Sequence, residues 1–169
     1  MLAIAANKLE IKTVIFCDDI DAPAQNFSND FVHGEYNDQN KIKEFLNKVD
    51  VVTYEFENIP VSVVRKLAQT RSVFPPPIAL ESSQDRLLEK QFFNQHGIDT
   101  APFYPVDDLP SLQQAITVLK LPLILKTRRF GYDGKGQFLV KSLEDAITAF
   151  NQLGQKGIIA EGFVHFDRE

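Results

Sequence analysis

Residues 11–17 are β-branched and apolar and then stop abruptly at Asp18-Asp19. That pattern predicts a buried parallel strand whose carboxyl end carries acids. A loop follows to about residue 38, with a short strand predicted at Asp30–His33. Ile42, Phe45 and Leu46 then recur at helical spacing within residues 40–48, which predicts an amphipathic helix. Residues 49–56 read as the next strand, and Pro60 opens a helix running to about residue 69. This alternation of strand and helix predicts an open α/β sheet. Residues 1–8 already read as helix, so the strand with which such a sheet normally begins is expected ahead of them.

Pro75-Pro76-Pro77 is the clearest break in the pattern, stiff and non-helical. It divides the chain into a first domain, residues 1–77, and a second, residues 78–169. In the second, Ser82 or Ser83 is expected to cap a helix that runs to about His96 and is stopped by Gly97. An extended segment at residues 100–106, a helix at 111–120 and a strand at 121–126 follow. Residues 138–140 would pair with that last strand as an antiparallel hairpin. Ser142 then caps a helix to residue 153, and residues 158–164 form a final strand. The polar stretch 166–169 lies just beyond it, so both edges of the pattern read as cut.

Composition narrows the function classes. The chain has 169 residues, 44% hydrophobic and 24% charged, as expected of a folded protein. No apolar run approaches the roughly 20 residues of a membrane span, and residues 1–6 lack the basic front of a signal peptide. No membrane partner is expected, therefore. The net charge of −5 argues against a general nucleic-acid binder, because phosphate backbones favour a broad basic face. One cysteine, Cys17, excludes an internal disulfide and fits a reducing cytoplasm, the expected location; its strand position predicts a structural thiol. His33, His96 and His165 show no metal-ligand spacing.

Against this acidic background, residues 126–135 stand out. Lys126, Arg128, Arg129 and Lys135 face one anion, Asp133, so the stretch carries +3. Gly131, Gly134 and Gly136 interleave with the charges. Glycines let a backbone approach a ligand and present its N–H groups, and nearby cations suit a polyphosphate. A solvated hairpin turn is the plain alternative. The pattern Gly-x-x-x-x-Gly-Lys-Ser/Thr occurs nowhere, so a phosphate site here needs another architecture. Lys126 ends an apolar strand and can reach phosphates from it, or simply extend to solvent. Glu161, near the end of the last strand, suits an exocyclic amine or a ribose hydroxyl, or plain solvation. Glu55 and Glu57 share a strand face and read as capping or solvated acids before catalytic ones. Asp18-Asp19 sit where dinucleotide folds read ribose, without the glycine fingerprint that normally precedes such acids.

Four blocks carry a resemblance: residues 50–60 (Asp-Val-Val-Thr-Tyr-Glu-Phe-Glu-Asn-Ile-Pro), 84–90 (Gln-Asp-Arg-Leu-Leu-Glu-Lys), 131–137 (Gly-Tyr-Asp-Gly-Lys-Gly-Gln) and 161–169. Together with Asp21-Ala22-Pro23-Ala24 they resemble 5-(carboxyamino)imidazole ribonucleotide synthase, the ATP-grasp ligase of purine biosynthesis. The resemblance implies an α/β chain: an incomplete Rossmann-like pre-ATP-grasp domain followed by the first part of an ATP-grasp domain. It implies that Arg86 and Lys126 contact ATP phosphates and that Gly131, Tyr132, Asp133, Gly134, Lys135, Gly136 and Gln137 form the loop over them. Glu161, Gly162, Phe163 and Val164 would read adenine and Glu169 the ribose. Tyr132, Asp133 and Lys135 would be the catalytic residues, with Tyr132 and Asp133 facing bicarbonate and the amine. The implied partners are ATP, bicarbonate and aminoimidazole ribonucleotide, with a homodimer when full length. The implied chemistry forms carboxyphosphate from bicarbonate and ATP, then carboxylates the exocyclic amine.

The family's opening strand and its Gly-Gly-Gly-Gln-Leu-Gly loop would lie immediately before Met1, and its chain continues past Glu169. That later part supplies the carboxylates for the Mg²⁺ cofactor, so no metal ligand is expected here. Two alternatives follow from the residues: a non-catalytic remnant that at most binds ATP weakly, or another ATP-grasp ligase, such as a formate-dependent purine enzyme or a biotin carboxylase relative.

Overall fold

The structure is a computed structural model, and it describes residues 1–131 and 134–166. The chain divides into two compact units, Met1–Leu80 and Glu81–Glu169.

In the first unit, α1 (Leu2–Lys8) leads into β1 (Val14–Cys17), and after a 3₁₀ turn at Pro23–Phe27 the chain forms β2 (Asp30–His33). The two strands pair in parallel, Val14 against Asp30 through Cys17 against His33. Helix α2 (Gln39–Leu46) follows, its first amides bonded to the Asp38 side chain. Next come β3 (Val51–Val52), α3 (Val61–Leu67) and β4 (Ser72–Val73), with β3 and β4 also parallel. Val32, Ile42, Phe45, Leu46, Val52, Val64, Leu67 and Leu80 form the core of this unit. The helical spacing read from the sequence is what brings Ile42, Phe45 and Leu46 into it.

Three expectations change here. The strand predicted at residues 49–56 is ladder-paired only at Val51–Val52. The expected single open sheet is, among the described residues, two separate two-stranded parallel pieces. All four residues of β1 are only partly buried, because its ladder partner is β2 alone among the described strands. Apolar composition set the strand type correctly and overstated its burial.

Helix α4 (Pro77–Ser83) carries the chain across the Leu80–Glu81 boundary and makes the third proline of the run a first-turn residue. Ser82 and Ser83 therefore lie within α4. Asp85 caps α5 (Arg86–Gln95) instead, accepting from the amides of Leu87 and Leu88. An aspartate one residue before the helix outcompetes serines already committed to another turn. Helix α5 ends at Gln95, and Gly97 takes the left-handed backbone (φ +74°) that closes it.

Strands β5 (Phe103–Val106), β6 (Leu123–Thr127), β7 (Gln137–Val140) and β8 (Ile158–Gly162) form one antiparallel sheet in the order β5-β8-β6-β7. Helix α6 (Leu109–Leu119) carries a capping box of Asp108 and Ser111, and α7 (Leu143–Gln152) one of Ser142 and Asp145. Val106, Leu112, Leu123, Leu125, Val140, Ala146, Phe150, Ile158 and Ala160 pack into one core between sheet and helices. Leu123, Leu125, Ile158 and Ala160 have no exposed surface.

Candidate functional site

Strand side chains alternate between faces, so the positions that fill this core fix what lies opposite. Leu123 and Leu125 of β6 turn inward to α6 and α7, which sends Ile124 and Lys126 to the other face. In β8, Ile158 and Ala160 turn inward, so Ile159 and Glu161 share that second face. Antiparallel register sets Lys126 across from Ile159 and Ile124 across from Glu161. Lys126 and Glu161 are thus diagonal neighbours, a spacing long side chains span. Lys126 Nζ stands 3.0 Å from Glu161 Oε2. A second ammonium, Lys90 Nζ from α5, lies 3.6 Å from the same oxygen and 5.9 Å from the centre of the Phe103 ring. Phe103 is Glu161's direct partner on β5. The Glu161 side chain is only 8% exposed, against 15% for Lys90 and 22% for Lys126. A carboxylate so far from water requires a cation, and this one has two.

One residue past β6, Arg128 grips Asp85 in a two-pronged pair: Nε donates to Oδ1 at 2.9 Å and Nη2 to Oδ2 at 2.6 Å. Burial pushes the Asp85 carboxyl up. The Arg128 hydrogen bond, the Leu87 amide and the Arg128 charge outweigh burial and hold it below the usual aspartate range. Arg129 donates to Gln84 Oε1 at 2.7 Å, and the Arg86 amide donates to the Arg128 carbonyl. The start of α5 is thereby stitched to the segment leaving β6.

Arg86 adds the last stitch. Its Nη1 donates to the Thr127 carbonyl at 2.9 Å and its Nη2 to the Gly131 carbonyl at 2.8 Å. The guanidinium therefore braces the root of the glycine segment. On the other limb, Thr127 N donates to the Gly136 carbonyl at 2.8 Å. Gly136 has a positive φ of +71°, and a Cβ there would stand 2.7 Å from Thr127 Oγ1. Conformation and space both call for glycine at this position.

The structure thus brings together Lys126 and Glu161, and places Arg86 at the base of the glycine segment. Gly134 and Lys135 lie in the turn of the β6–β7 hairpin, and Gln137 faces Lys126 in the ladder. Gly162 closes β8, its amide donating to the Pro102 carbonyl. Phe163 and Val164 follow it, both partly exposed, with the Phe163 ring edge-on to His165. Tyr132, Asp133 and Glu169 lie outside the described residues. Sequence reading missed Lys90 and Asp85, and counted Arg128 among the cations suited to a polyphosphate, whereas it pairs with Asp85. Lys90 had a signal, since Arg86 and Lys90 are four apart on one helix and share its face. The Asp85–Arg128 pair joins residues 43 apart and had none.

The other candidate acids have plainer surroundings. Glu55 accepts from the Leu2 amide at 3.3 Å, a helix-capping role. Asp18 lines a cavity of about 450 Å³ in the first unit, with Glu35, Tyr36, Gln39, Ser62 and Lys66. Burial, then the neighbouring Cys17 thiol, pushes the Tyr36 phenol up. Among the described residues no three His, Cys, Asp or Glu side chains converge to hold a metal, and no helix is long and apolar enough to cross a membrane.

Residues 1–84 match the family model for the ribonucleotide synthetase preATP-grasp domain, and residues 91–169 the model for the ATP-grasp domain. The N5-carboxyaminoimidazole ribonucleotide synthase of Brucella melitensis is 47% identical over 171 residues, which cover all of this chain and 47% of that protein. The crystal structure of the Thermus thermophilus synthetase superposes with a TM-score of 0.89 at 41% identity, over 99% of this chain and 45% of that one. The Staphylococcus aureus synthetase complexed with ADP gives a TM-score of 0.91 at 32% identity, over 99% and 45%. The chain spans about half the length of these relatives.

Proposed function

From the premise that this chain belongs to the N5-carboxyaminoimidazole ribonucleotide synthase family of ATP-grasp ligases, we propose that it binds ATP at the face of its four-stranded sheet that carries Lys126 and Glu161. There it contributes the phosphate-handling half of a site that carboxylates 5-aminoimidazole ribonucleotide with bicarbonate. The observation that carries the reading is the Lys126–Glu161–Lys90 cluster beside a glycine hairpin whose root is braced by Arg86.

The chain's own groups divide the work. Lys126 ends a rigid strand and offers a compact, movable charge to the β- and γ-phosphates. The backbone at Gly134 and Gly136, both at positive φ, offers N–H groups without a Cβ in the way. Such donors, fixed beforehand, offset charge that grows on the transferred phosphoryl group at no cost in reorganisation. Arg86 is already committed to two carbonyls, so its role is to hold the hairpin root and add a nearby positive charge. Glu161 through Val164 supplies the adenine edge. Tyr132 and Asp133 are assigned to the bicarbonate and amine side by sequence alone, and Lys135 is kept on the same ground as a catalytic residue of the loop over ATP. In the reaction, a bicarbonate oxygen attacks the γ-phosphorus and ADP leaves. The exocyclic amine then attacks the carboxyl carbon of carboxyphosphate, phosphate leaves, and the amine loses its proton. Magnesium is the expected companion of ATP; among the described residues no three His, Cys, Asp or Glu side chains converge on a site for it. No step is assigned to it.

The test is isotopic. With ¹³C-bicarbonate, ATP and aminoimidazole ribonucleotide, and with the part of a full-length relative that this chain does not span added as a second polypeptide, the reading expects one labelled carboxyl per phosphate released. ATP turnover that depends on formate, or ATP binding with no bicarbonate-dependent turnover, would contradict the proposed reaction. The second of these outcomes is what a non-catalytic, ATP-binding relative gives.

A further inference from the structure

Two ammonium groups share one nearly buried carboxylate oxygen at Glu161, although one would neutralise it. They differ in anchorage. Lys126 stands on β6, next to the glycine hairpin, where the proposed phosphates bind. Lys90 stands on α5, is less exposed, and has its ammonium above the Phe103 ring. If Lys126 turns to phosphate, it must release Glu161. A carboxylate with 8% exposure left without a cation pays a large desolvation penalty, which would be charged against nucleotide binding.

The geometry points to Lys90 as a positioning residue: it keeps Glu161 neutralised, so that Lys126 is free to leave for the phosphates. The inference rests on the ATP reading of this face and adds a residue and a hand-over to it. Lys90 need not touch the nucleotide. Its effect is confined to the phosphates, because adenosine binding leaves the Lys126–Glu161 pair in place. It also vanishes when the carboxylate is removed, since a neutral amide needs no cation.

The measurement is the affinity ratio of ATP to adenosine, by calorimetry, on the full chain. Lys90→Met is expected to lower this ratio about tenfold, on the scale of an unpaired buried charge. Lys90→Arg should retain it. In an E161Q background, Lys90→Met should change it less than about twofold. Equal losses with and without Glu161 would mean that Lys90 meets the phosphates directly, and an unchanged ratio would mean that it has no part; either overturns the inference while the ATP reading stands. General misfolding lowers both affinities and is seen by circular dichroism. A second readout needs no nucleotide. Acetylation of Lys126, followed by mass spectrometry, should slow several-fold in Lys90→Met, where Glu161 holds Lys126 alone, and recover with E161Q. If the unsubstituted chain binds no ATP, the reading of the site fails. The acetylation rates still decide the hand-over: equal rates in all variants overturn it.

Discussion

Asp85 and Glu161 are both carboxylates nearly withdrawn from water, held by cations two residues apart at the end of one strand, yet they are held in opposite ways. Asp85 has both oxygens in the planar fork of Arg128, and one of them also accepts from two helix amides. Glu161 offers a single oxygen to two lysines, each a point charge on a flexible stem. A fork fixes geometry, and every one of its bonds must break together; a point charge can be exchanged. The first arrangement fastens α5 to the end of β6. The second sits where the proposed reading puts a ligand charge, and point charges of this kind can be exchanged. On the proposed reading one corner of the sheet is structural and the next handles the ligand, and the difference lies in the cation used.

Substitutions should separate the two corners. Asp85→Ala removes a helix cap and strands Arg128, and should cost about 3 kcal/mol in urea denaturation. Asp85→Asn, which keeps an acceptor for the amides, should lose less. Lys126→Met should do the reverse: at least about a tenfold loss of ATP affinity by calorimetry, with stability changed by less than about 1 kcal/mol because Lys90 still neutralises Glu161. Gly136→Ala meets both the positive φ and Thr127 Oγ1, and should cost roughly 1–2 kcal/mol. Thr127→Ala in that background should relieve the steric part and leave the backbone part. The smallest effect is expected for Arg129→Met, about 1 kcal/mol from the lost bond to Gln84, with no change in ATP affinity.

Acid sharpens the same contrast. The folded Asp85 carboxyl is held below its ordinary value. Its contribution is therefore complete above the unfolded aspartate value, near 4, and fades as pH falls from there through the lower folded value. Between about pH 5 and 3 the unsubstituted chain should lose stability more steeply than Asp85→Asn, as followed by urea midpoints. Parallel slopes would show that the fork does not hold the charge.

Much of this was legible in the chain. The 3.6-residue spacing of Ile42, Phe45 and Leu46 and the Ser142 cap before α7 are local signals, and they located their helices. The glycine hairpin and Lys126 at a strand end were legible for the same reason. The failures had a common cause. Ser82 and Ser83 look like caps until α4 claims them, and β1 looks buried until its ladder is known. Lys90 was visible within a recognised block, but its meaning depends on Glu161, 71 residues later, arriving beside Phe103 in an antiparallel ladder. Pairing across a sheet is decided by register, and register is not a local property.

The central claim is that the Lys126 face of the antiparallel sheet binds the phosphates of ATP. Amide chemical shifts in ¹⁵N-labelled chain, titrated with ATP and then with adenosine, test it most directly. The account predicts that ATP shifts the amides of Lys126, Gly134, Gly136 and Gly162, and that adenosine and Lys126→Met abolish the glycine shifts. ATP-dependent shifts confined to the first-unit cavity around Tyr36 and Ser62, with the hairpin glycines unmoved, would contradict it.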